Sequence, residues 1–263
     1  MSRSLFRNFW LCGLISTSLF AWGVVGHRVI AHIADAHLTE DTRFWLKKNF
    51  DVDRLVWIAN WADDIKIDSK RSKPLWHYGY IEDLRQEDHI IWAIEKNLSV
   101  LQSKKALMRD KEQALKWVVH LVADLHQPLH ISKKRIQGFV GCMVRLSSPS
   151  KVMSLHQAWD SGLIDAEKLS LAQWTAYLEG QHFKNDLEVD LEMWAKNSYK
   201  AQDIIVPNGR DHYCKSYANQ KLNRALMPFL SWDYRAKVLP VLSYQLWLGG
   251  IHLANILNGV AHD

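Results

Sequence analysis

Two His/Asp pairs constrain this chain more than any other feature of its sequence. In the segment WVVHLVADLHQPLH, His120 and Asp124 are four residues apart, and in the segment LHQAWDSGL, His156 and Asp160 have the same spacing. Residues four apart on an α-helix share one face of that helix. Each pair can therefore direct a nitrogen and an oxygen ligand at a single cation.

The surroundings of the pairs favour metal binding over a simpler interpretation. A single His/Asp pair on a helix is usually a surface ion pair or a local hydrogen bond. Here both pairs lie among apolar residues, where an uncompensated carboxylate is costly and a cation would remove that cost. Pro128 also ends the first helix and places His130 on the turn that follows. The resulting set of nitrogen and oxygen ligands suits zinc.

Composition predicts one domain with many packed aromatic rings. The chain has 263 residues, 48% of them hydrophobic, which is enough for a substantial core, and we expect a single domain over residues 22–263. The 13 tryptophans indicate aromatic packing between helices, with some rings left for stacking on bases. A net charge of +5 slightly favours a polyanionic partner.

Residues 1–21 are predicted to be a signal peptide that is removed. Two arginines form a basic start, the stretch 9–20 is apolar but short for a membrane span, and Ala21 offers a small residue at the cut. We therefore expect an exported protein, either secreted or periplasmic. The mature chain would retain Cys142 and Cys214, which can form one disulfide or remain as two buried thiols.

Apolar periodicity predicts helices along most of the mature chain. The stretch 68–80 is predicted to be a loop that carries His77 between two aromatic residues, and 131–150 a long loop with a short hairpin. A first helix is expected over 26–38, and Thr39 and Asp41 can cap a second helix that carries Phe44, Trp45 and Leu46. Further helices are expected over 55–66, 88–101, 109–125, the His156/Asp160 segment, 170–179, 188–204, 214–230 and a last run to Leu257.

The last run, VLPVLSYQLWLGGIHLANIL, has no formal charge, so a membrane span and a buried core helix are both open. Pro240, the paired glycines and His252 favour the core helix, because polar and helix-weakening residues are rare in simple spans. We expect no stable membrane insertion after the signal is removed.

Several motifs occur together, in order, from Trp22 to the last helix. They are WGVVGH at the mature start, WAD at 61–63, His77 before an aromatic ring, HLVADLHQPLH at 120–130 and LHQAWDSGL at 155–163. In this combination the chain resembles the zinc-dependent single-strand nucleases of the S1/P1 and mung bean nuclease type, which also act as 3'-nucleotidases. The resemblance implies an all-α fold, shared with zinc phospholipase C, with three zinc ions in one cleft.

The resemblance also implies a ligand set for each zinc ion, and one ligand is a free α-amino group that exists only after residues 1–21 are removed. A carboxylate bridges two of the ions. The implied ligands are Asp63, His77, His120 and Asp124 for the first ion, the bridging Asp124 with His27 and the amine and carbonyl of Trp22 for the second, and His130, His156 and Asp160 for the third.

The reaction implied by the resemblance is attack of a zinc-activated hydroxide on phosphorus. The bond to the 3' oxygen breaks, which gives 5'-phosphate products from single-stranded DNA or RNA, or phosphate from 3'-nucleotides. Asp63 and Asp124 are the implied catalytic carboxylates. Lys66 is predicted either to lie near the phosphate or to be an exposed lysine at a helix end. Tyr78 is the candidate ring for stacking on a base, and we expect a monomer.

The chain departs from the family pattern near the expected substrate pocket. The family usually has a Gly-Gly-Asn turn before the second His/Asp pair, whereas this chain has GFVGCMVRL, with Cys142 about where the Asn would stand. Tyr80 falls where an acidic residue often helps to bind the base, with Glu82 or Asp83 as possible substitutes. Tyr80 joins Tyr78 as a candidate substrate contact, and base preference does not carry over.

Two alternatives remain open. A zinc phospholipase C also begins with a ligating tryptophan, but the short spacing from Trp22 to His27 and the use of Asp160 rather than Glu favour the nuclease. An exported zinc protein that binds nucleic acid or another partner without turnover belongs to a different class, and the complete ligand set argues against it. The remaining histidines, His126 among them, match no ligand position.

Overall fold

Helices make up most of the computed structural model, which describes residues 22–68, 71–146, 151–181, 183–184, 188–207 and 227–262. The fold is all-α, as predicted. Within this part of the chain the helices are α1 Val24–His37, α2 Glu40–Phe50, α3 Trp61–Asp64, α4 Ile90–Gln102, α5 Met108–Leu125, α6 Leu155–Gln157, α7 Leu163–Ala166, α8 Leu171–Glu179, α9 Leu191–Ile205 and α10 Trp232–His262.

The predicted helices corresponding to α1, α2, α4 and α5 are confirmed, although Phe44 on α2 is exposed. The apolar positions of α1, such as Val29 and Ile33, are fully buried. Thr39 caps α2, since its Oγ1 accepts a hydrogen bond of 3.2 Å from the backbone N–H of Thr42. The helix then carries two acidic residues in its first turn, where they interact favourably with the helix dipole.

The continuous helix predicted over 55–66 is wrong. The segment divides into a 3-10 turn at Leu55–Trp57, the short α3, and a second 3-10 turn at Ile65–Ile67. Its start is fixed by the buried carboxylate of Asp35, which accepts hydrogen bonds from the backbone N–H of Leu55 (2.9 Å) and from Nε of Arg54 (3.0 Å). These contacts with α1 override the local helical pattern.

The few strands are short and lie around the 131–150 region. The predicted hairpin exists and extends to Ser154, and residues 147–150 lie outside the described part.

The helix predicted over 214–230 is wrong at its end, because residues 229 and 230 form a strand. Residues 214–226 lie outside the described part. Strand β1 Gly79–Tyr80 pairs in parallel with β2 Ile131–Ser132, and β3 Met143–Leu146 lies between antiparallel β4 Lys151–Ser154 and parallel β5 Phe229–Leu230.

Helix α10 is a core helix, as expected. Most of its second half is buried, including Leu253, Ala254 and Leu257. It packs closely on α1, because a Cβ placed on Gly250 would lie 2.6 Å from Cβ of Ile33. Among the described helices, none combines the length and apolar character needed to cross a bilayer.

Cys142 is disulfide-bonded and 1% exposed. This agrees with the disulfide alternative for that residue rather than the free thiol. The other cysteines, Cys12 and Cys214, lie outside the described residues, as does the proposed signal peptide at 1–21.

Candidate metal centre

Helix α5 carries the first His/Asp pair on its buried face. His120 and Asp124 are both fully buried, and Nε2 of His120 lies 3.3 Å from Oδ2 of Asp124. The last turns of α5 are apolar on every other side, so the pair projects into the interior of the protein.

The second pair spans an irregular helical segment. Ser154 and Gln157 form a capping box at the start of α6, and the chain then passes through a π-helical turn, Ala158–Gly162, before α7. His156 precedes the π turn and Asp160 lies within it, yet Nε2 of His156 is still 3.4 Å from Oδ2 of Asp160. The spacing therefore brings the pair together, although the π turn interrupts the regular helix that was predicted for this segment.

Four further candidate side chains reach the same interior from separate elements. His27 lies on α1, Asp63 on α3, His77 at the end of the 3-10 turn Pro74–His77, and His130 on the turn after α5. With the two pairs they form three groups in which the ligand atoms lie within 4.8 Å of one another. The groups are His27, His120 and Asp124; Asp63, His77 and His120; and His130, His156 and Asp160.

Backbone carbonyls orient three of the imidazole rings. Nδ1 of His120 is 2.9 Å from the carbonyl of Ala59, and Nδ1 of His130 is 2.7 Å from that of His77. Nδ1 of His156 makes the same contact with the carbonyl of Gly138 at 2.7 Å. If Nδ1 carries the proton and donates, Nε2 keeps its lone pair for a metal, which is the usual arrangement around ligating histidines.

Asp124 lies between two of the groups. Its Oδ1 is 3.3 Å from Nε2 of His27, whereas its Oδ2 is 2.8 Å from Nδ1 of His77. The rings of His27 and His120 stack at 3.9 Å between centroids. The two oxygens of one carboxylate thus face different groups, as a bridging ligand requires.

The donor set fits cations. Nε2 of His77, His130 and His156 and Oδ2 of Asp160 are buried and make no hydrogen bond to any described residue. Buried polar atoms are rarely left without a partner in folded proteins. Imidazole nitrogens and carboxylate oxygens converging in this way form a set that zinc prefers.

The S1/P1 Nuclease family matches residues 22–262 of the chain. The chain belongs to the S1/P1 nuclease family. It is 25% identical to Endonuclease 2 of Arabidopsis thaliana over 272 residues, covering 92% of this chain and 91% of that protein. It is 23% identical to Nuclease S1 of Aspergillus oryzae, covering 92% of each chain, and 22% identical to Nuclease P1 of Penicillium citrinum, covering 91% and 97%. The protein is therefore a hydrolase that acts on nucleic acid.

Burial sets the protonation of several side chains in this nuclease. It lowers the pKa of His27 and of His77 to about 4, so both rings are neutral at pH 7 and offer lone pairs. Burial raises the pKa of Asp160 to about 7. Burial alone would also raise the pKa of Asp124, but His120 and His130 outweigh it and hold that pKa well below its usual value.

The predicted start of the mature nuclease lies beside both pairs. Nε1 of the fully buried Trp22 donates to the carbonyl of Ala123 at 2.9 Å, next to Asp124 in sequence. The backbone N–H of Gly23 donates to the carbonyl of Asp160 at 2.6 Å. Residue 22 is therefore held next to Asp124 by its own side chain and next to Asp160 by the backbone of Gly23.

Lys66 lies at the edge of the three ligand groups, beside Asp63. Its Nζ is 2.6 Å from Oδ1 of Asp63, and its side chain is 19% exposed. Lys66 is therefore partly buried and paired with Asp63 rather than fully exposed. The burial of Asp63 would raise the pKa of its carboxyl, but His120 and Lys66 together lower it.

A cavity of about 250 Å³ adjoins the third group. The ring of Tyr78 lies 4.8 Å from that of His130, and the ring of Tyr80 lies 5.0 Å from that of His89. Both predicted substrate contacts therefore face one cavity. Its lining is Leu75, Tyr78, Tyr80, His89, Ser132, Gln137, Gly138 and Val140.

Sequence reasoning missed two residues that support the third group. Nε2 of Gln127 donates to Oδ1 of Asp160 at 2.6 Å, and the place of Gln127 in the HQPLH motif was the available signal. Gly138, with φ of +65°, supplies the carbonyl that orients His156, and no local pattern marks that role. His126, although buried nearby, bonds to His252 at 2.7 Å and joins none of the three groups.

Proposed function

We propose that this nuclease is an exported, monomeric, zinc-dependent phosphodiesterase. It hydrolyses single-stranded DNA and RNA to 5'-phosphate products and releases phosphate from 3'-nucleotides. The observation that carries the proposal is the convergence of three buried His/Asp groups in a member of this family. Three zinc ions would supply Lewis acids that neutralise phosphate charge and make water acidic enough to attack near neutral pH.

Each candidate residue has a role in this proposal. Asp63, His77, His120 and Asp124 would hold one ion, His27 and the amine and carbonyl of Trp22 would hold a second together with Asp124, and His130, His156 and Asp160 would hold the third. The facing oxygens of Asp124 support the bridging role. Lys66, held by Asp63 at 2.6 Å, is placed to orient that carboxylate and to attract a phosphate.

A preference for single strands follows from the cavity. A base can enter it and stack on Tyr78 only if it is not paired and stacked within a duplex. The ring of Tyr78 lies 4.8 Å from that of His130 and 5.8 Å from that of His156, so a base stacked there brings its own phosphate to the third group. Tyr80, opposite His89, forms another part of the wall.

The test combines metal analysis with a substrate panel on the purified mature protein, residues 22–263. We expect close to three zinc ions per chain, cleavage of single-stranded DNA and RNA, slower cleavage of duplex DNA, and release of phosphate from 3'-nucleotides. A chelator should abolish all of these activities, and added zinc should restore them.

Two outcomes would assign the protein differently. Full zinc with hydrolysis of phosphatidylcholine and intact oligonucleotides would indicate a phospholipase. Full zinc with no hydrolysis of either substrate would indicate a protein that binds nucleic acid or another partner without turnover.

A further inference from the structure

Four tryptophans form a continuous aromatic row that starts at the metal centre. The ring of Trp117 lies 5.8 Å from that of His77. Trp61 and Trp76 flank Trp117 at 5.7 Å and 4.9 Å, and Trp92 follows Trp76 at 5.9 Å. Trp76 and Trp117 are buried, whereas Trp61 and Trp92 are half-buried and present part of their rings to solvent.

Three lysines lie over rings of this row. Nζ of Lys116 is 5.5 Å from the ring centroid of Trp61, and Nζ of Lys96 is 4.2 Å from that of Trp92. Nζ of Lys73 is 5.8 Å from the ring centroid of Trp76. None of these ammonium groups lies within 4.0 Å of a carboxylate in the part of the chain that the structure describes.

This arrangement has a simpler structural explanation. Lysines often lay their alkyl stems on apolar surface, and cation-π contacts at exposed sites contribute only modestly to stability. However, all three charges belong to different elements and gather on one row of rings: Lys73 precedes Pro74–His77, Lys96 lies on α4, and Lys116 lies on α5. One carboxylate contacts the row, since Oδ1 of Asp88 accepts a hydrogen bond of 3.1 Å from Nε1 of Trp76. The three ammonium groups form no ion pair with a described residue, so these contacts leave an excess of positive charge on the row, which suits an anionic partner.

We propose that this row, the tryptophan-lysine strip of Trp61, Trp76, Trp92, Trp117, Lys73, Lys96 and Lys116, binds the part of a single-stranded nucleic acid that flanks the bond being cut. The inference rests on the proposed function and extends it, because it assigns substrate contacts well outside the metal groups and the Tyr78 cavity.

The chemistry of the strip matches a single strand. Ammonium groups pair with the phosphates, and the exposed parts of the Trp61 and Trp92 rings stack on bases of any identity, which gives binding without sequence preference. The buried Trp76 and Trp117 support these two rings from below. The strip lies against the metal centre, because Trp76 is followed directly by His77 and the buried ring of Trp117 lies 5.8 Å from that of His77. A strand held along it keeps its backbone near the ligands while a base enters the cavity.

The test replaces the three strip lysines with glutamine, which keeps the stems and removes the charges. The KM and kcat of the zinc-loaded enzyme are compared for a dinucleotide and for oligo-dT of about twelve nucleotides, a length within the usual range of single-strand sites. We expect KM for the longer strand to rise by about 10-fold at low salt, with kcat unchanged and dinucleotide kinetics unaffected.

Salt dependence gives a second, independent measurement. Each phosphate contact with a single strand contributes about 0.7 to the slope of log affinity against log salt concentration, so loss of three contacts should reduce the slope by about 2. A triple variant whose KM and slope match those of the unaltered enzyme would overturn the proposal.

A matched control separates the effect of losing the strip lysines from the effect of lowering the net charge. The control uses three exposed lysines on helices that carry no candidate ligand: Lys48 on α2, Lys200 on α9 and Lys237 on α10. Lys48 also makes a cation-π contact, since its Nζ lies 5.6 Å from the ring centroid of Phe44. Changing these three to glutamine alters the net charge equally and should leave KM for the long strand unchanged. An equal rise in KM in this control would refute a specific strip.

The remaining outcomes are also distinguishable. If the unaltered enzyme cleaves no nucleic acid, the proposed function fails first. If it cleaves normally but the strip variant loses only its binding to phosphatidylserine vesicles, the strip is a membrane-binding surface and the proposal is overturned.

Discussion

The two His/Asp pairs have the same spacing and the same burial, but their carboxylates meet different neighbours. Asp124, on a regular helix, faces His27, His77 and His120 at 3.3 Å or less. Asp160, within a π turn, faces His156 at 3.4 Å, His130 at 3.6 Å and the amide of Gln127. Histidines hold the pKa of Asp124 well below its usual value, whereas burial raises the pKa of Asp160 to about 7.

This difference teaches that an i,i+4 pair identifies a candidate site but not the number of cations it serves. In the geometry, the oxygens of Asp124 face ligand atoms of two groups, whereas Asp160 belongs to one group. Substitutions at the two positions should therefore have unequal consequences, which provides a direct test.

The largest effect is expected for Asp124→Asn. The amide cannot bridge two cations, so zinc content should fall from about three ions to about one, and kcat should fall by more than about 1,000-fold, since each catalytic ion supplies several kcal/mol of transition-state stabilisation. Metal analysis and steady-state kinetics on single-stranded DNA check both quantities. An active enzyme with three ions would contradict the bridging role.

A smaller effect is expected for Asp160→Asn. The remaining His130 and His156 bind one ion weakly, so about one zinc should be lost and activity should fall by roughly 100- to 1,000-fold. The same measurements apply, under the same zinc concentration. Loss of all three ions would show that the groups are not independent, and the comparison between the pairs would fail.

Extending the mature chain by one residue before Trp22 tests the ion that Asp124 would share with His27 and Trp22. The extra residue converts the α-amino group into an amide that cannot ligate, so we expect loss of about one ion and an activity fall of about 100-fold. The anchoring of Trp22 to Ala123 should keep the melting temperature of the metal-free protein unchanged. Unaltered zinc content would remove the amine from the ligand set.

The smallest effect is expected for Gly138→Ala, which perturbs the support of His156. A Cβ at this position of positive φ would lie 2.9 Å from the carbonyl of Leu129 and 3.1 Å from Nδ1 of His156. Loss of an orienting contact typically weakens metal binding or activity 10- to 100-fold. Gly141→Ala is the matched control, since a Cβ there meets nothing within 4 Å. Equal behaviour of both variants would contradict the orienting role.

Much of the fold and of the candidate site could be predicted from the sequence. Helices such as α1, α5 and α10 were predictable because apolar residues recur at helical spacing, and the turn carrying His130 because Pro128 cannot continue a helix. The candidate ligands were identified because their motifs occur in a fixed order, and the structure places eight of their side chains in three groups.

The rest depends on partners that are distant in sequence. The 55–66 segment is broken because Asp35 captures the backbone of Leu55, and β5 forms because Phe229 pairs with Arg145. Neither partner is visible in a local pattern. The π turn and the carbonyl of Gly138 likewise arise from packing around the second pair, which periodicity cannot report.

The close crossing of α1 and α10 at Gly250 makes the position of His27 depend on a helix that is far away in sequence. Pairing such remote segments is slow compared with local helix formation. Helix α1 can therefore form before α10 packs against it, and we expect His27 to reach its place beside His120 and Asp124 only late in folding.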